Sequence, residues 1–385
     1  MEAKMNRVLL YSVLLSLLIS SSWAQSGAIT SMSENMDNDC ARLQASLMQY
    51  KEIADRGGWP PVSEGAWLKR GDRGQRVVEI KRRLTVTGDR RSESSGPEDI
   101  FDEELHDSVV RFQRRHGLKE DGVVGPETIK NLNVPVENRI RQIEINIRRL
   151  KQMTECAETR YITVNIAAFD LHVIENENTV MSMKVIVGKP YWYSPSFSST
   201  MTQIVFNPSW YVPNSIAIEE ILPKIKEDPE YLVNEGIKVF EKGKGYRNEL
   251  DASVINWADV NADNLTYRFV QVPGIRNPLG KIKFIFPNNY DVYLHDTPAK
   301  VLFEKSSRAF SHGCIRIEKP VELAEYLLRD DPAWNSERII ETVDSGEEVK
   351  IKIPSPIKIH ILYLTAWVDE DNVLQFREDV YERDK

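Results

Sequence analysis

Ser311-His312-Gly313-Cys314-Ile315-Arg316, with Val292-Tyr293-Leu294-His295 upstream of it, is the stretch from which the rest of the chain is best read. Val292 to Leu294 reads as a short strand that ends on His295, nineteen residues before Cys314. A free thiol has a pKa of about 8.5 and is mostly protonated at neutral pH, so a nucleophilic cysteine needs a base nearby. Histidine suits that task, and His295 and His312 are both candidates. Gly313 lets the backbone turn tightly, and the N–H groups of Gly313 and Cys314 could then point at a developing oxyanion. Two other readings stand on residue type alone. One is a zinc site, for which no fourth ligand sits at the usual spacing; the other is a buried inert cysteine.

Outward from this centre the chain alternates as a sheet does. Tyr161 to Ile166, Leu171 to Ile174, Met181 to Val187, Gln203 to Phe206, Tyr267 to Gln271, Phe284 to Phe286 and Val349 to Ile353 are strand candidates. Asn176-Glu177-Asn178 marks a hairpin turn between the second and third. A helix is expected from Val321 to Arg329, behind Lys319-Pro320, and His360 to Tyr381 reads as two strands around Asp371-Asn372. Residues 214–263 interrupt the strands with a charged, helix-rich insertion, with helices expected at Ile216 to Lys226 and Asp228 to Gly236.

The N-terminal side is helical. Residues 66–134 form a small module: Val77, Ile80 and Leu84 share one helical face, Leu105, Val109 and Phe112 another, and Pro126 opens a third helix with Ile129 and Leu132. A connecting helix, residues 135–154, sets Ile140, Ile143, Ile147 and Leu150 against a face of Arg139, Arg141, Arg148, Arg149 and Lys151, read as solvated. Residues 25–65 are polar with one helix near Cys40 to Ile53.

The first 24 residues resemble a secretory signal peptide. Lys4 and Arg7 precede the apolar run Val8 to Ile19, and Ser22 and Ala24 stand where a signal peptidase reads small residues. Twelve apolar residues are too few to span a bilayer, which needs about 20; an uncleaved N-terminal anchor is the alternative. Export to an oxidising compartment makes a Cys40–Cys156 bridge an open question. With 50 Lys+Arg against 58 Asp+Glu and a net charge of −8, a basic nucleic-acid module is not expected.

The spacing His-x15-Ser-His-Gly-Cys resembles the signature of the L,D-transpeptidase catalytic domain, also called the YkuD domain. Its surroundings match as well: Pro273-Gly274, Asn277-Pro278-Leu279-Gly280, Lys283-Phe284, Phe286-Pro287-Asn288, His295-Asp296-Thr297-Pro298, Val187-Gly188-Lys189-Pro190 and Phe206-Asn207-Pro208. The resemblance is closest to the large Gram-negative YcbB-like branch and runs from about residue 155 to 385. Residues 66–134 resemble peptidoglycan-binding domain 1, through Leu68, Gly71, Gly74, Phe112-Gln113, Gly117-Leu118, Asp121-Gly122 and Gly125 among others. The implied fold is α+β: a mainly-β catalytic domain at 155–385 with a helical capping insertion at about 214–263, plus the small three-helix module.

By that resemblance Cys314 is the nucleophile and His295 the general base of an acyltransferase. The donor is a peptidoglycan tetrapeptide stem, attacked at the carbonyl of its third residue, meso-diaminopimelate. Terminal D-alanine leaves a thioester behind, and the side-chain amine of another stem's third residue takes the acyl group in a 3→3 cross-link. With water as acceptor the same site is an L,D-carboxypeptidase. A non-catalytic wall-binding protein is the reading from another class, and the His295/Cys314 pair argues against it. His312 could orient the loop or the thiol, Tyr293 could serve the oxyanion, and Ser311, Trp210 and Tyr211 could line the substrate groove. Arg316 stands where many members have Asn; it could bind a stem carboxylate or brace the loop. Asp296 stands where some members have Ser, which puts a Ser-dependent relay in doubt. No metal or organic cofactor and no nucleic acid is implied. Acylation by β-lactams, carbapenems especially, and residence in a Gram-negative periplasm are expected; peptidoglycan synthase partners and membrane association stay open.

Overall fold

The computed structural model describes residues 38–91, 97–152 and 159–385; the signal-like segment, Cys156 and with it the Cys40–Cys156 bridge lie outside the described residues. Helix α1 spans 38–55. The module follows with α2 (Gln75–Val86), α3 (Glu103–Arg115) and α4 (Pro126–Leu132). The boundaries of α3 follow from local chemistry. Asp102 caps it by accepting from the Leu105 N–H, Glu103 and Glu104 stand at the positive end of the helix dipole, and Arg114 and Arg115 at the negative end. Pro126 opens α4 at the position where a missing N–H costs nothing. The expected faces close on each other: Val77, Ile80, Leu84, Leu105, Val109, Phe112, Ile129 and Leu132 form one cluster.

Helix α5 (Val136–Gln152) joins the module to the sheet domain. Its basic face is not uniformly solvated, as the sequence suggested. Arg141 and Arg148 are exposed, but Arg139 is buried over the Phe376 ring, and Arg149 pairs with Asp384 at 2.7 Å. The C-terminal segment supplies both partners, a long-range contact that helical periodicity cannot register.

The sheet domain opens with β1 (Arg160–Asn165), β2 (Asp170–Glu175), β3 (Asn178–Gly188) and β4 (Phe197–Phe206). The β2–β3 hairpin turns at Asn176 and Glu177, both at positive φ. After the insertion come β9 (Ile282–Ile285), β10 (Leu294–His295), β11 (Ala309–Ser311), β12 (Ile315–Ile317), α9 (Pro320–Leu328), α10 (Ser336–Ser345) and β13 (Val349–Leu362). The sheet order is β11-β3-β12-β10-β9-β4-β13-β1-β2, and β2 also pairs with β3, so the sheet closes on itself. Strand β13 is long enough for this because its register shifts between Lys352 and Ile357, where Pro354 and Pro356 could not have continued the ladder. Helix α10 was not foreseen; Asn335 caps its start and Gly346, at φ 71°, its end.

Between β4 and β9 lies the insertion. It contains α6 (Asn214–Ile216), a π-turn at Ala217–Ile221, α7 (Leu222–Glu227) and α8 (Tyr231–Asn234). It is not purely helical, since β5 (Trp210–Tyr211), β6 (Ile237–Glu241), β7 (Glu249–Leu250) and β8 (Tyr267–Gln271) make a four-stranded sheet with its own core of Ile221, Ile225, Leu232, Ile237, Val239 and Phe269. The strand at Tyr267 to Gln271 was expected, but the charged residues Lys238 and Glu241 hid the alternation of Ile237 and Val239.

Past Leu362 the chain leaves the main sheet. Strands β14 (Ala366–Val368) and β15 (Leu374–Phe376) pack with α1 and α5 in a separate cluster of Leu43, Tyr50, Ile143, Ile147, Ala366 and Phe376. The C-terminal segment thereby docks the helical module onto the sheet domain.

Candidate active site

Register places the chemistry. Lys350, Val205, Lys283, His295, Arg316 and Ile186 are cross-strand neighbours in one row over β13, β4, β9, β10, β12 and β3. The next row is Ile351, Ile204, Phe284, Leu294 and Ile315, all packed in or against the core. Side chains alternate between faces, so the apolar row fixes the polar row on the opposite face. Two residues back along the same two chains, Tyr293 and Cys314 meet: the Ile315 N–H donates to the Tyr293 carbonyl at 3.1 Å. The Tyr293 backbone N–H and hydroxyl both act on the Cys314 sulfur and favour its thiolate. The Asp291 carbonyl lies 3.8 Å from that sulfur, on a residue held at φ 55°.

The cysteine loop is braced by serines. Ser311 Oγ donates to the Cys314 carbonyl and accepts the Gly313 N–H at 3.1 Å. Ser194 Oγ donates to the Gly313 carbonyl at 2.7 Å and accepts the Gly188 N–H at 3.0 Å. Gly313 sits at φ 112°, where a side chain would be strained, and a Cβ on Gly188 would stand 2.0 Å from the Trp192 carbonyl oxygen. This brace corrects one expectation. The Gly313 N–H is committed to Ser311 and is not free for an oxyanion, whereas the Cys314 N–H has no acceptor among the described residues.

Electrostatics at the site are set by burial. Cys314 is half-buried, and desolvation raises its pKa; the Tyr293 N–H and hydroxyl and the charges of Lys283 and Arg316 pull the other way. His295 is buried, and its pKa is lowered to about 3, chiefly by desolvation and then by the Arg316 charge. Its Nδ1 donates to the Asp296 carbonyl at 2.5 Å, so the neutral ring keeps its basic lone pair on Nε2. The Asp296 carboxylate serves the backbone instead, accepting from the Lys281 N–H at 2.8 Å and pairing with Lys300. Tyr293 is half-buried beside the sulfur, and burial pushes its phenol well above the usual value.

Arg316 makes no ion pair within 4.0 Å among the described residues, and its Nε is buried without a hydrogen-bond partner. His312 packs on the Trp192 ring, centroids 3.9 Å apart and planes tilted by 38°, and meets Glu220 of the insertion's π-turn, Nε2 to Oε1 2.8 Å. Trp210 and Tyr211 stand on the insertion's sheet, where Tyr211 packs on Tyr246 at 4.8 Å rather than on the cysteine loop. Sequence reasoning missed Lys283 and Glu220 as site residues. Lys283 is a lone cation in an apolar strand, which is a signal; Glu220 carried none, because only the folded insertion brings it to His312.

Two family models match the chain. The L,D-transpeptidase catalytic domain (YkuD) matches residues 159–351, over half of the chain, and a "Putative peptidoglycan binding domain" matches residues 73–132. The chain belongs to the L,D-transpeptidase catalytic domain family and carries a peptidoglycan-binding-type module ahead of it. A Haemophilus influenzae protein named "Putative L,D-transpeptidase" is 30% identical over 248 residues, 64% of this chain and 49% of the relative. The chain thus spans about half the length of the curated relative it matches. An L,D-transpeptidase from Stackebrandtia nassauensis is 13% identical, covering 79% of this chain and 96% of its own, with a TM-score of 0.28. One from Mycobacterium smegmatis is 13% identical, covering 53% and 58%, with a TM-score of 0.23. Scores this low add nothing to the family assignment, which rests on the matched residues.

Proposed function

We propose that this protein is a cysteine-dependent L,D-transpeptidase that forms 3→3 cross-links in peptidoglycan. The observation that carries the reading is the polar row of Lys283, the buried neutral His295 and Arg316, with Cys314 two residues before Arg316 on the same face and the charges of both cations acting on its sulfur. Its elements imply a definite order of events. Both the thiol and the imidazole are held neutral at rest by burial, so His295 takes the thiol proton as the sulfur attacks rather than beforehand. The new C–S bond puts negative charge on the carbonyl oxygen, for which the Tyr293 hydroxyl and the Cys314 N–H are the available donors. Collapse breaks the C–N bond, the proton on His295 goes to the departing D-alanine amine, and a thioester remains. A diaminopimelate amine then attacks, gives its proton to His295 and releases the sulfur, which recovers a proton.

Arg316 has an unpartnered Nε and, among the described residues, no ion pair within 4.0 Å, although the Glu220 charge acts on it from farther away; this suits a stem carboxylate better than a loop brace. The insertion acts as a cap whose Glu220 reaches the cysteine loop, and excluding water there favours the amine over hydrolysis. The helical module holds the enzyme on wall polymer. Residues 1–24 direct export, and the Gram-negative periplasm is where such stems occur. β-Lactams, carbapenems in particular, acylate Cys314. Incubation with purified disaccharide-tetrapeptide, read by mass spectrometry beside Cys314→Ala, tests the reading. A D-alanine-loss dimer in wild type alone supports it, tripeptide alone supports the L,D-carboxypeptidase, and neither product from wild type sinks both.

A further inference from the structure

Lys283 has no place in the reaction as written, yet it sits at the centre of the polar row. It lies directly across from His295 on the adjoining strand, and its Nζ is 3.7 Å from the centroid of the Tyr293 ring. That is close for a cation over an aromatic face. The hydroxyl of the same ring acts on the Cys314 sulfur, favouring its charged form. No carboxylate lies within 4.0 Å of the ammonium among the described residues, although a lysine this far from bulk water normally finds one. Neighbouring Phe284 is in the core, so strand alternation pins Lys283 on the cysteine's face.

We propose that Lys283 is a positioning residue of the nucleophile: it seats the Tyr293 ring so that the hydroxyl meets the sulfur, and its charge, with that of Arg316, holds the thiolate as it forms. The groups around the sulfur are Lys283 from β9, Tyr293 just before β10, Arg316 from β12 and Asp291 from the preceding loop, with His295 two residues beyond Tyr293 on the same face. Those around Lys283 are Cys314, Glu348, Lys350 and Asp291. The charge that develops on sulfur supplies the anion that Lys283 lacks at rest. Burial lowers the Lys283 pKa, and among the charges that oppose this the Cys314 sulfur comes first. The unpaired ammonium and the half-buried thiol are thus complementary, each stabilised in its charged form by the other.

The catalytic meaning of this role rests on Cys314 being the nucleophile proposed above, but its test reads the thiol itself and needs no wall substrate. The full chain is alkylated with iodoacetamide across pH, and modification is followed on the tryptic peptide Ala309 to Arg316. For Lys283→Met the rate profile moves about one pH unit upward, so alkylation at neutral pH slows about tenfold. Lys283→Arg, which keeps the charge and the ring contact, stays within a few-fold of wild type. Tyr293→Phe shifts the profile in the same direction, and the double variant Lys283→Met/Tyr293→Phe shifts less than the sum of the singles. Should Lys283→Met fail to fold, Lys283→Gln carries the same expectation. A wild-type profile in a folded Lys283→Met or Lys283→Gln protein overturns the proposal, as does a Lys283→Arg profile as displaced as the neutral variant. Loss of cross-linking alongside intact alkylation would count against the proposed function, not against this role.

Discussion

Glu220 of the cap and His312 of the cysteine loop are joined across a gap of 92 residues in sequence, Oε1 to Nε2 2.8 Å. Glu220 lies in the π-turn between α6 and α7, a rare backbone form that recurs at functional sites. Burial lowers the His312 pKa, and the Glu220 charge opposes that shift. The two side chains touch, but His312 Nε2 does not meet Glu220 with hydrogen-bond geometry, so the contact is electrostatic and strengthens as His312 gains a proton. Glu220→Ala removes the tie between cap and loop without touching the reacting atoms. The expected result is a several-fold rise in tripeptide relative to cross-linked dimer, measured by mass spectrometry of the products. An unchanged ratio would show that the cap's apolar contacts alone keep water out.

Acid stability carries the signature of His295. In the unfolded chain its imidazole titrates at about 6.5, and in the folded chain at about 3. Between those values the unfolded state binds a proton that the folded state refuses. Stability is then whole above about pH 6.5 and falls as pH drops toward about 3, by at most about 1.4 kcal/mol per unit. His295→Gln has no such proton to bind. Urea unfolding at pH 7 and pH 5 should show a smaller loss in the variant than in wild type, while cross-linking activity falls about 10²–10⁴-fold at either pH. Equal losses in the two proteins would mean that the ring becomes charged without leaving its site.

For Arg316 the two roles left open by the sequence separate cleanly by experiment. A loop brace would lose stability on truncation, and a substrate ligand would lose affinity. The guanidinium has an unpaired Nε and, among the described residues, no ion pair within 4.0 Å, so Arg316→Ala should leave the melting temperature nearly unchanged and raise KM for a tetrapeptide donor about tenfold or more. Arg316→Lys should recover part of the loss, since an ammonium cannot reproduce a bidentate fork.

Ser311 holds the loop at two points, the Gly313 N–H and the Cys314 carbonyl. Ser311→Ala leaves a buried N–H and a carbonyl to find other partners, at a cost of about 1–3 kcal/mol. Because the Gly313 N–H is then free to turn, the nucleophile's placement suffers as well. The check is thermal unfolding beside single-turnover acylation by a carbapenem, with acylation expected to fall more than stability alone explains.

How much of this was legible in the sequence depended on the range of the interaction. The strands at Tyr161 to Ile166, Tyr267 to Gln271 and Val349 to Ile353 could be read because alternation is local, and the hairpin at Asn176-Glu177-Asn178 because turn residues name themselves. Cys314 and His295 stood out as candidates because their residue types and spacing suggest chemistry. Register could not be read: Lys283 stands beside His295 only because β9 pairs with β10, and no pattern within Lys281 to Ile285 says so. The other strands of the insertion's sheet escaped for a similar reason, since Trp210–Tyr211, Ile237–Glu241 and Glu249–Leu250 are two to five residues long and pair across helices. Arg139 was misplaced because its partner ring, Phe376, is supplied by the far end of the chain.

That same junction yields the last expectation. Arg115 holds Asp89 through two contacts of 2.6 Å with both side chains nearly out of water, at 8% and 4% exposure. Arg83 and Arg139 are buried close by, over Trp59 at 3.8 Å and Phe376 at 4.5 Å, and burial lowers their pKa values to about 9 and about 10. The Asp89 carboxylate pairs with Arg115 and its charge also reaches Arg83, while Arg139 adds a further buried cation where the module meets α1 and β15. Asp89→Asn should cost about 3–5 kcal/mol in urea unfolding, because it strands a buried charge instead of merely deleting a contact. Adding Arg115→Met should restore most of that stability, since the pair is replaced and not broken. An Asp89→Asn protein with the wild-type midpoint would mean that the Tyr50 hydroxyl, 3.4 Å from Arg115, and the surrounding ring faces hold the guanidinium without the carboxylate.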